Sequence, residues 1–576
     1  MNTQTRDMIV LTIFGAIAGL AFYALFELLA PKSGFDDVTL TAAVFAICFF
    51  GGGLMMTGPI SFTRSLLPAT TLGFVLTPLI LWARFRFEDA DAFVNSGHPF
   101  AVIFVIFVIT IPFFIANHAK DMSVRHYPDL FDTAWAVFMR VVVSMVFTGV
   151  FWLLLFLSDR LLSLVGLTLI GDILDLDAVP PILTGAVFGL AIMVSYELSD
   201  MISAQLVLRL LRLLMPMITV VVGVFVIALP FQGLSNLFGY FSAGSVMMGM
   251  GIIATGLVSA SIDRTSAEGV QRPWMKGFVQ VLACLVPALG GLAIAAVWVR
   301  VQDYGWTPDR LAAGTIAVIV FAYGVAYAIS ILRRGDWGTR LRQSNILLAA
   351  GVVVVLALWL TPLLNPQAIS SKSQLARLDT GTAAADLPLY ELAHSWGHAG
   401  QAAIAELEGR FAQNGDNDAL TLVSQARAAG SIYQFRRDRN DDDRAAKLVA
   451  LDTKVPVYPE GSVKPSALLS VANGLQRRIL NNCETDDDVS DCAIISVPAS
   501  LGQEAHFVVF TGLDQDASLL WFLTRDSAAQ NNGHHLTVRL SEAAKQDLAN
   551  GDYTIAPPRW STVRLGGDVV YGVPWE

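Results

Sequence analysis

The sequence predicts an α-helical polytopic membrane bundle of about eleven transmembrane helices, followed by a soluble α+β domain. Of the 576 residues, 54% are hydrophobic and only 15% are charged, whereas soluble domains contain roughly 25% charged residues. The charge is also uneven, because residues 1–362 carry a net charge of −1 and residues 363–576 carry −9. We therefore expect a membrane domain at residues 1–363 and a soluble domain at residues 364–576.

Eleven apolar runs predict the membrane-spanning helices. A bilayer core of about 30 Å requires roughly 20 apolar residues in a helix, because every backbone polar group must be satisfied within the segment. The first run is longer than the hydrophobic core of a cleaved signal peptide, so we expect it to remain as a span. The runs lie near residues 8–30, 38–60, 65–83, 99–117, 133–157, 179–198, 207–230, 242–262, 275–299, 309–332 and 344–363.

The basic residues predict the orientation of these spans. With a cytoplasmic N-terminus, 13 Lys and Arg residues fall in cytoplasmic loops and 6 in external loops. Cytoplasmic loops are generally the more basic ones. An odd number of spans then places the soluble domain on the periplasmic or extracellular side of a bacterial inner membrane.

Two cysteines support this placement. Cys483 and Cys492 flank an acidic turn in the soluble domain, and cysteines that close a short loop outside the membrane commonly form a disulfide. The alternative is a pair of free thiols. The other two cysteines, Cys48 and Cys284, lie in apolar runs, where cysteine packs as a small hydrophobic residue.

The soluble domain is predicted to have helices first and an antiparallel sheet after about residue 492. Apolar periodicity predicts helices at residues 389–411, 417–428 and 465–480. Short β-branched and aromatic runs, separated by turn residues, predict strands and a closing hairpin around Gly566-Gly567. The predicted strands are Ala493–Val497, His506–Phe510, Leu519–Leu523 and Leu536–Leu540.

Three stretches resemble a known family. They are the loop from Tyr304 to Arg310, the segment from Asn365 to Leu378, and Pro557-Pro558-Arg559-Trp560. Together they are similar to the bacterial membrane family catalogued as domain of unknown function 4153. The resemblance implies a polytopic membrane protein and assigns no activity. Thr307-Pro308 also has a simple physical interpretation, as the N-cap and first-turn proline of the next span.

Arg140 is the main candidate for a functional residue within the membrane. A charged side chain in a span is costly and usually faces a partner or water. However, Arg140 is only about 10 Å from the predicted inner edge of its span. The alternative is therefore that the side chain extends to the membrane surface.

His394 and His398 are candidate metal ligands. They lie four residues apart on a predicted helix, so both imidazoles would share one face, and a third ligand would come from His506, His534 or His535. However, Ser395 occupies the position at which the zinc-protease motif has glutamate. The alternative is a polar helix face.

Three functions fit these observations, and no catalytic residue is identified. The first is a non-enzymatic envelope protein, with membrane lipids and an envelope protein as partners and no cofactor. The second is a transporter whose path lies near Arg140, between the glycine-rich second and eighth spans. The third is a metal-dependent extracytoplasmic enzyme. A nucleic-acid partner is not expected, because nucleic acid would repel the acidic domain.

Overall fold

A computed structural model describes residues 3–29, 36–198, 204–232, 243–333 and 335–440, together with seven strands between residues 457 and 571 and a few residues between 541 and 547. The chain divides into two compact units, residues 1–428 and 429–576. The boundary predicted after residue 363 follows the end of the apolar spans. The packing boundary lies later, because four helices that follow the last span belong to the first unit.

Eleven helices in the described residues are long and apolar enough to cross a membrane, as the sequence predicts. A π-helical segment, Ile47–Gly51, joins two helices into one span. The helices of these spans are α1 (Thr3–Tyr23), α2 (Asp37–Ala46), α3 (Gly52–Met56), α4 (Phe62–Arg84), α6 (His98–His118), α7 (Tyr127–Ser163), α9 (Val179–Glu197), α10 (Ala204–Gln232), α11 (Ala243–Ile262), α12 (Pro273–Tyr304), α13 (Pro308–Leu332) and α14 (Trp337–Leu360). Two short helices lie between spans, α5 (Ala90–Asn95) and α8 (Leu169–Leu174).

Polar side chains mark where helices begin. Asp36 accepts a hydrogen bond from Thr39 N at 2.7 Å at the start of α2. Thr307 accepts one from Arg310 N at 3.3 Å, and Pro308 follows it in the first turn of α13. This confirms the start predicted from the Thr-Pro pair, since N-cap oxygens satisfy backbone N–H groups that have no partner within the helix.

The spans form two groups, each with its own apolar core. In the N-terminal group (α1–α7 and α9), residues such as Leu72, Ile80 and Ile111 are almost fully buried. In the C-terminal group (α10–α14), Leu282 and Tyr327 are buried in a separate core. The groups meet where α14 packs on α6 and where Phe131 of α7 contacts Leu208 and Ala260.

Helices α1 and α9 make the closest helix contact in the N-terminal group. A Cβ atom on Gly15 would overlap the carbonyl oxygen of Gly185, and one on Gly19 would overlap that of Pro181. The same holds for Gly189 against Leu11. Both helices therefore carry small residues four apart, which lets their backbones touch as in many membrane helix pairs.

In the first unit, four α-helices follow the last span: α15 (Pro366–Asp379), α16 (Leu389–His394), α17 (Gly397–Asn414) and α18 (Asn417–Ala428). The helix predicted at residues 417–428 is confirmed. The single helix predicted at 389–411 is wrong, because the chain breaks after His394. Gly397 has φ +54° and lies against the carbonyl oxygen of Arg86, which accepts a hydrogen bond from His398 N at 2.8 Å. The helix predicted at 465–480 lies outside the described residues.

The second unit contains two sheets. Strands β1–β5 form one sheet in sequence order, with β1 and β2 parallel and the other pairs antiparallel, and β6 and β7 form a hairpin. Strands β2–β5 overlap the four runs predicted from the sequence, and β6 and β7 match the predicted closing hairpin. Strand β1 was not predicted, and its parallel pairing with β2 departs from the predicted antiparallel sheet. They are β1 (Val457–Tyr458), β2 (Cys492–Val497), β3 (His506–Thr511), β4 (Ser518–Thr524), β5 (His535–Val538), β6 (Thr562–Leu565) and β7 (Asp568–Tyr571).

Candidate functional site

A partly open cavity of about 190 Å³ lies where the two groups of spans meet. Helices α7, α9 and α10 form most of its wall, and the rest comes from residues that directly follow α3 and α11. We call this end of the bundle the cavity end. The lining residues include Pro59, Phe131, Asp132, Trp135, Arg140, Ser195, Tyr196, Gln205, Leu208, Asp263 and Arg264.

Arg140 is buried in the wall of this cavity, with only 5% of its surface exposed. Its Nη1 donates to Thr57 O at 3.1 Å and its Nε donates to Ala136 O at 3.2 Å. The guanidinium also lies 5.4 Å from the centre of the Tyr196 ring, an arrangement that attracts a cation. Its Nη2 is buried and has no hydrogen-bond partner among the described residues. The side chain is therefore enclosed by protein. This differs from the alternative considered from the sequence, in which it extends to the membrane surface.

The other charged groups around the cavity are paired. Arg264 lies 2.9 Å from Asp132 and also pairs with Glu268, and Arg212 pairs with Asp263. The hydrogen bonds that Arg264 donates to Glu268 and Asp132 raise the pKa of Arg264, and the same contact lowers the pKa of Glu268. Within the described residues, Arg140 is thus the charged group of this cavity that forms no ion pair.

The wall at Asp263 is held by hydrogen bonds from two arginines. Asp263 has φ +52°, a left-handed conformation that aspartate tolerates better than most residues. Arg342 donates to Ile262 O at 2.6 Å and to Asp263 O at 3.1 Å, and Arg212 donates to Ala260 O at 3.0 Å. These arginines satisfy the carbonyl groups that every helix leaves unpaired at its C-terminus.

The opposite end of the bundle, which we call the α15 end, is fastened by polar contacts. The Gln374 side chain donates to Tyr304 O at 3.0 Å and to Trp306 O at 2.9 Å, and Ser373 Oγ accepts from Trp306 N at 3.0 Å. Two of the stretches that carry the family resemblance therefore bind each other. The Nε2 atom of His98 also lies 2.9 Å from a carboxylate oxygen of Asp309, which joins α6 to α13.

Arg86 fastens α15 to the bundle from the other side. Its guanidinium donates to Trp359 O and Thr361 O, each at 2.8 Å, and to Gln367 Oε1 at 3.4 Å. Burial lowers the pKa of Arg86 to about 10, so the side chain is charged at neutral pH. All of these acceptors are uncharged, which makes Arg86 a structural cation.

The structure does not bring His394 and His398 onto one helix face. His394 ends α16 and His398 lies in α17. The ring nitrogen Nε2 of His394 lies 2.9 Å from Ala426 O, so it carries the proton and is not free to bind a metal. In the part of the chain that the structure describes, no three metal-binding side chains form a cluster. The metal site remains a prediction, but it has lost the argument that both histidines share one face of a helix.

Other predicted site residues lie partly or wholly outside the described residues. His534 and Cys483 lie outside the described residues. His506, His535 and Cys492 lie in strands, but the structure does not describe their side chains. The disulfide between Cys483 and Cys492 therefore remains a prediction.

A comparison with protein families matches residues 38–395 to the family described as Domain of unknown function (DUF4153). This chain belongs to the DUF4153 family. No curated protein and no solved structure matches it significantly. The DUF4153 region includes the whole lining of the cavity and the contact between Trp306 and Gln374, and it ends in the break between α16 and α17. The chain is thus a multi-pass membrane protein whose family has no assigned function.

Sequence reasoning identified Arg140 but missed the residues around it. Tyr196 lies on α9, Asp132 on α7 and Arg264 just after α11, so no local pattern joins them. Their shared signal is weak: each is an aromatic or charged residue near the end of an apolar run.

Proposed function

We propose that this DUF4153 protein is a membrane carrier that binds a small organic anion at Arg140. The buried guanidinium without a carboxylate partner carries this proposal. A charge enclosed in protein is costly unless it is paired. An anionic group in the adjoining cavity would supply the missing counter-ion and would accept the hydrogen that Nη2 leaves unused.

The other walls indicate the rest of the ligand. Trp135, Phe131 and Tyr196 present aromatic surface, whereas Ser195 and Gln205 offer a few polar groups. Sites of this kind hold the apolar body of a ligand by contact and orient it through a small number of polar atoms. The cavity therefore suits an anion that carries an aromatic or apolar body.

The position of the cavity supports transport and not binding alone. Many transporters hold their substrate at the interface between two groups of spans, which move against each other to change access. Here the cavity lies between the N-terminal and C-terminal groups. The ion pair between Asp132 of α7 and Arg264 after α11 crosses that interface at the cavity edge. Relative movement of the groups would therefore open or close the site.

The proposed orientation places the cavity end in the cytoplasm and the α15 end outside a bacterial inner membrane. The 13 to 6 division of basic residues supports this orientation. In this arrangement the second unit is a periplasmic domain. Its acidity and its sheets suit interaction with an envelope protein, as in the non-enzymatic envelope function that the sequence favoured first, with transport as the alternative.

Binding is tested with the full chain in phosphatidylcholine nanodiscs, using benzenesulfonate, benzoate and phenyl phosphate as probes. We expect saturable binding of at least one probe, measured by isothermal titration calorimetry. Arg140→Met should abolish it, and Arg140→Lys should weaken it because lysine cannot form the planar paired contacts of arginine. Arg209→Met removes the same charge from an exposed site on α10 and should leave binding unchanged.

The outcomes separate binding from transport. No saturable binding of any probe, or equal binding by Arg140→Met, overturns the anion site. If a probe binds, its uptake into proteoliposomes should require Arg140 but not Arg209. Binding without uptake overturns the carrier function and leaves an anion receptor.

Orientation and the disulfide are tested together with a membrane-impermeant thiol reagent on intact cells. Cys483 and Cys492 should be labelled only after reduction. Labelling without a reductant contradicts the disulfide. Labelling only after lysis contradicts the proposed orientation, because the second unit would then lie in the cytoplasm.

A further inference from the structure

A second cavity of about 190 Å³ lies at the cavity end of the C-terminal group. It is formed by the end of α11, the starts of α12 and α14, and the loops that join them to their neighbours. The segment at Asp263 and Arg264 separates it from the Arg140 cavity. The residues that matter here are Ser261, Ser266, Lys276, Asp336, Gly338 and Arg342.

Two cationic side chains line this second cavity. Arg342 is only 7% exposed, and its Nη1 donates to Ser266 Oγ at 3.2 Å. Lys276, in the first turn of α12, is half-buried. The carboxylate that lines the cavity, Asp336, accepts hydrogen bonds from Thr339 N at 3.2 Å and Thr339 Oγ1 at 2.5 Å. Asp336 thus caps the start of α14, and Arg342 also donates to Ile262 O and Asp263 O. Among the described residues Lys276 forms no ion pair, so it is the cationic group that remains for a ligand.

Ser261 gives an independent indication of a ligand. Only 2% of its surface is exposed, and its Oγ has no hydrogen-bond partner among the described residues. Buried hydroxyl groups are normally paired, because an unpaired one loses its hydrogen bonds to water without replacement. Since Ser261 lines the cavity, a ligand with acceptor oxygens would supply the missing partner.

We propose that this cavity binds a phosphate group, from an anionic phospholipid headgroup or from free phosphate. Trp337 and Gly338 place the first turn of α14 in the cavity wall, and the N-terminus of a long helix attracts anions. Lysine and arginine are the usual side-chain partners of phosphate. Basic pockets between spans also commonly hold lipid headgroups.

The first measurement uses thermal unfolding of the full chain in detergent micelles, titrated with inorganic phosphate. The second compares unfolding in nanodiscs of phosphatidylcholine with unfolding in nanodiscs that also contain phosphatidylglycerol. Lys276→Ala should weaken the response about tenfold or more in apparent affinity, the effect of losing one charge-assisted hydrogen bond. Arg272→Ala removes an exposed positive charge just before α12 and should leave the response unchanged.

Ser261→Ala gives a second variant that preserves packing. We expect it to fold normally and to unfold no more easily than the original chain when ligand is absent, because it removes an unpaired hydroxyl. Its response to the phosphate ligand should nevertheless be weaker. A variant that simply damaged the fold would lose stability in both conditions.

Each outcome decides the proposal. Stabilisation by inorganic phosphate that requires Lys276 identifies free phosphate as the ligand. Stabilisation by phosphatidylglycerol alone, again requiring Lys276, identifies a headgroup. A response that neither Lys276→Ala nor Ser261→Ala changes, an equal loss in Arg272→Ala, or no response to either probe overturns the site.

Discussion

Two buried arginines at opposite ends of the membrane bundle, Arg86 and Arg140, are used in opposite ways. At the α15 end, Arg86 donates to three uncharged oxygens that belong to the last span and α15, and Arg84 pairs with Asp37 at 2.6 Å. At the cavity end, Arg140 has two backbone acceptors, a nitrogen without a partner and a cavity beside it.

This difference separates a structural from a functional charge. A buried cation whose donors are used holds elements together, and removing it strands its acceptors. A buried cation with an unused donor beside open space is costly in the free protein and is retained for what it binds. The α15 end also contains unpartnered groups, the buried hydroxyls of Ser370 and Ser371, but these are uncharged.

The largest effect is expected at the α15 end. Arg86→Leu leaves the oxygens of Trp359, Thr361 and Gln367 without their donor, so we expect unfolding to become easier by about 2–5 kcal/mol. Unfolding in mixed detergent and dodecyl sulfate micelles measures this. Arg300→Leu changes an exposed arginine at the same end and should stay within about 0.5 kcal/mol. Equal stability of the two variants would contradict the structural role of Arg86.

A smaller effect is expected where α17 begins against Arg86. Gly397→Ala adds a Cβ that overlaps the Arg86 carbonyl oxygen, at a residue with positive φ, so we expect a loss of about 1–3 kcal/mol. Gly409→Ala lies in the same helix with open space around it and should gain up to about 1 kcal/mol from helix propensity. The same unfolding assay compares them, and a matching loss in both would rule out a specific contact.

The smallest effect on stability is expected at the cavity end. Arg140→Met keeps much of the side-chain volume and removes an unpaired buried charge, so its cost should be about 1 kcal/mol or less. Anion binding should be lost at the same time. If Arg140→Met instead destabilises the protein as strongly as Arg86→Leu, Arg140 is a structural cation like Arg86.

Local features were predictable from the sequence. Each span is a property of about 20 consecutive residues, so its free energy of transfer can be summed along the chain. The start of α13 depends on two adjacent residues, Thr307 and Pro308. The strands β2–β5 followed from short runs of β-branched and aromatic residues bounded by turns.

Long-range contacts explain what the sequence missed. The break between His394 and Gly397 arises because the carbonyl oxygen of Arg86, far away in the chain, accepts from His398 N. The α1–α9 contact depends on glycines in two distant helices that match in position. Glycine-rich stretches elsewhere, such as Gly51-Gly52-Gly53, attract more attention in the sequence but pack against side chains.

The sequence alone thus determined that the chain is a multi-pass membrane protein, it predicted the eleven candidate spans of the described residues, and it singled out Arg140 as a charge that needs an explanation. Hydrophobicity is additive along the chain, so the spans could be predicted without knowing which residues lie near one another in the fold. Only the tertiary structure decided what Arg140 faces, which arginines are satisfied and where cavities remain. Those properties depend on atoms brought together from separate helices, because hydrogen bonds and ion pairs act over a few ångströms in space and not along the sequence.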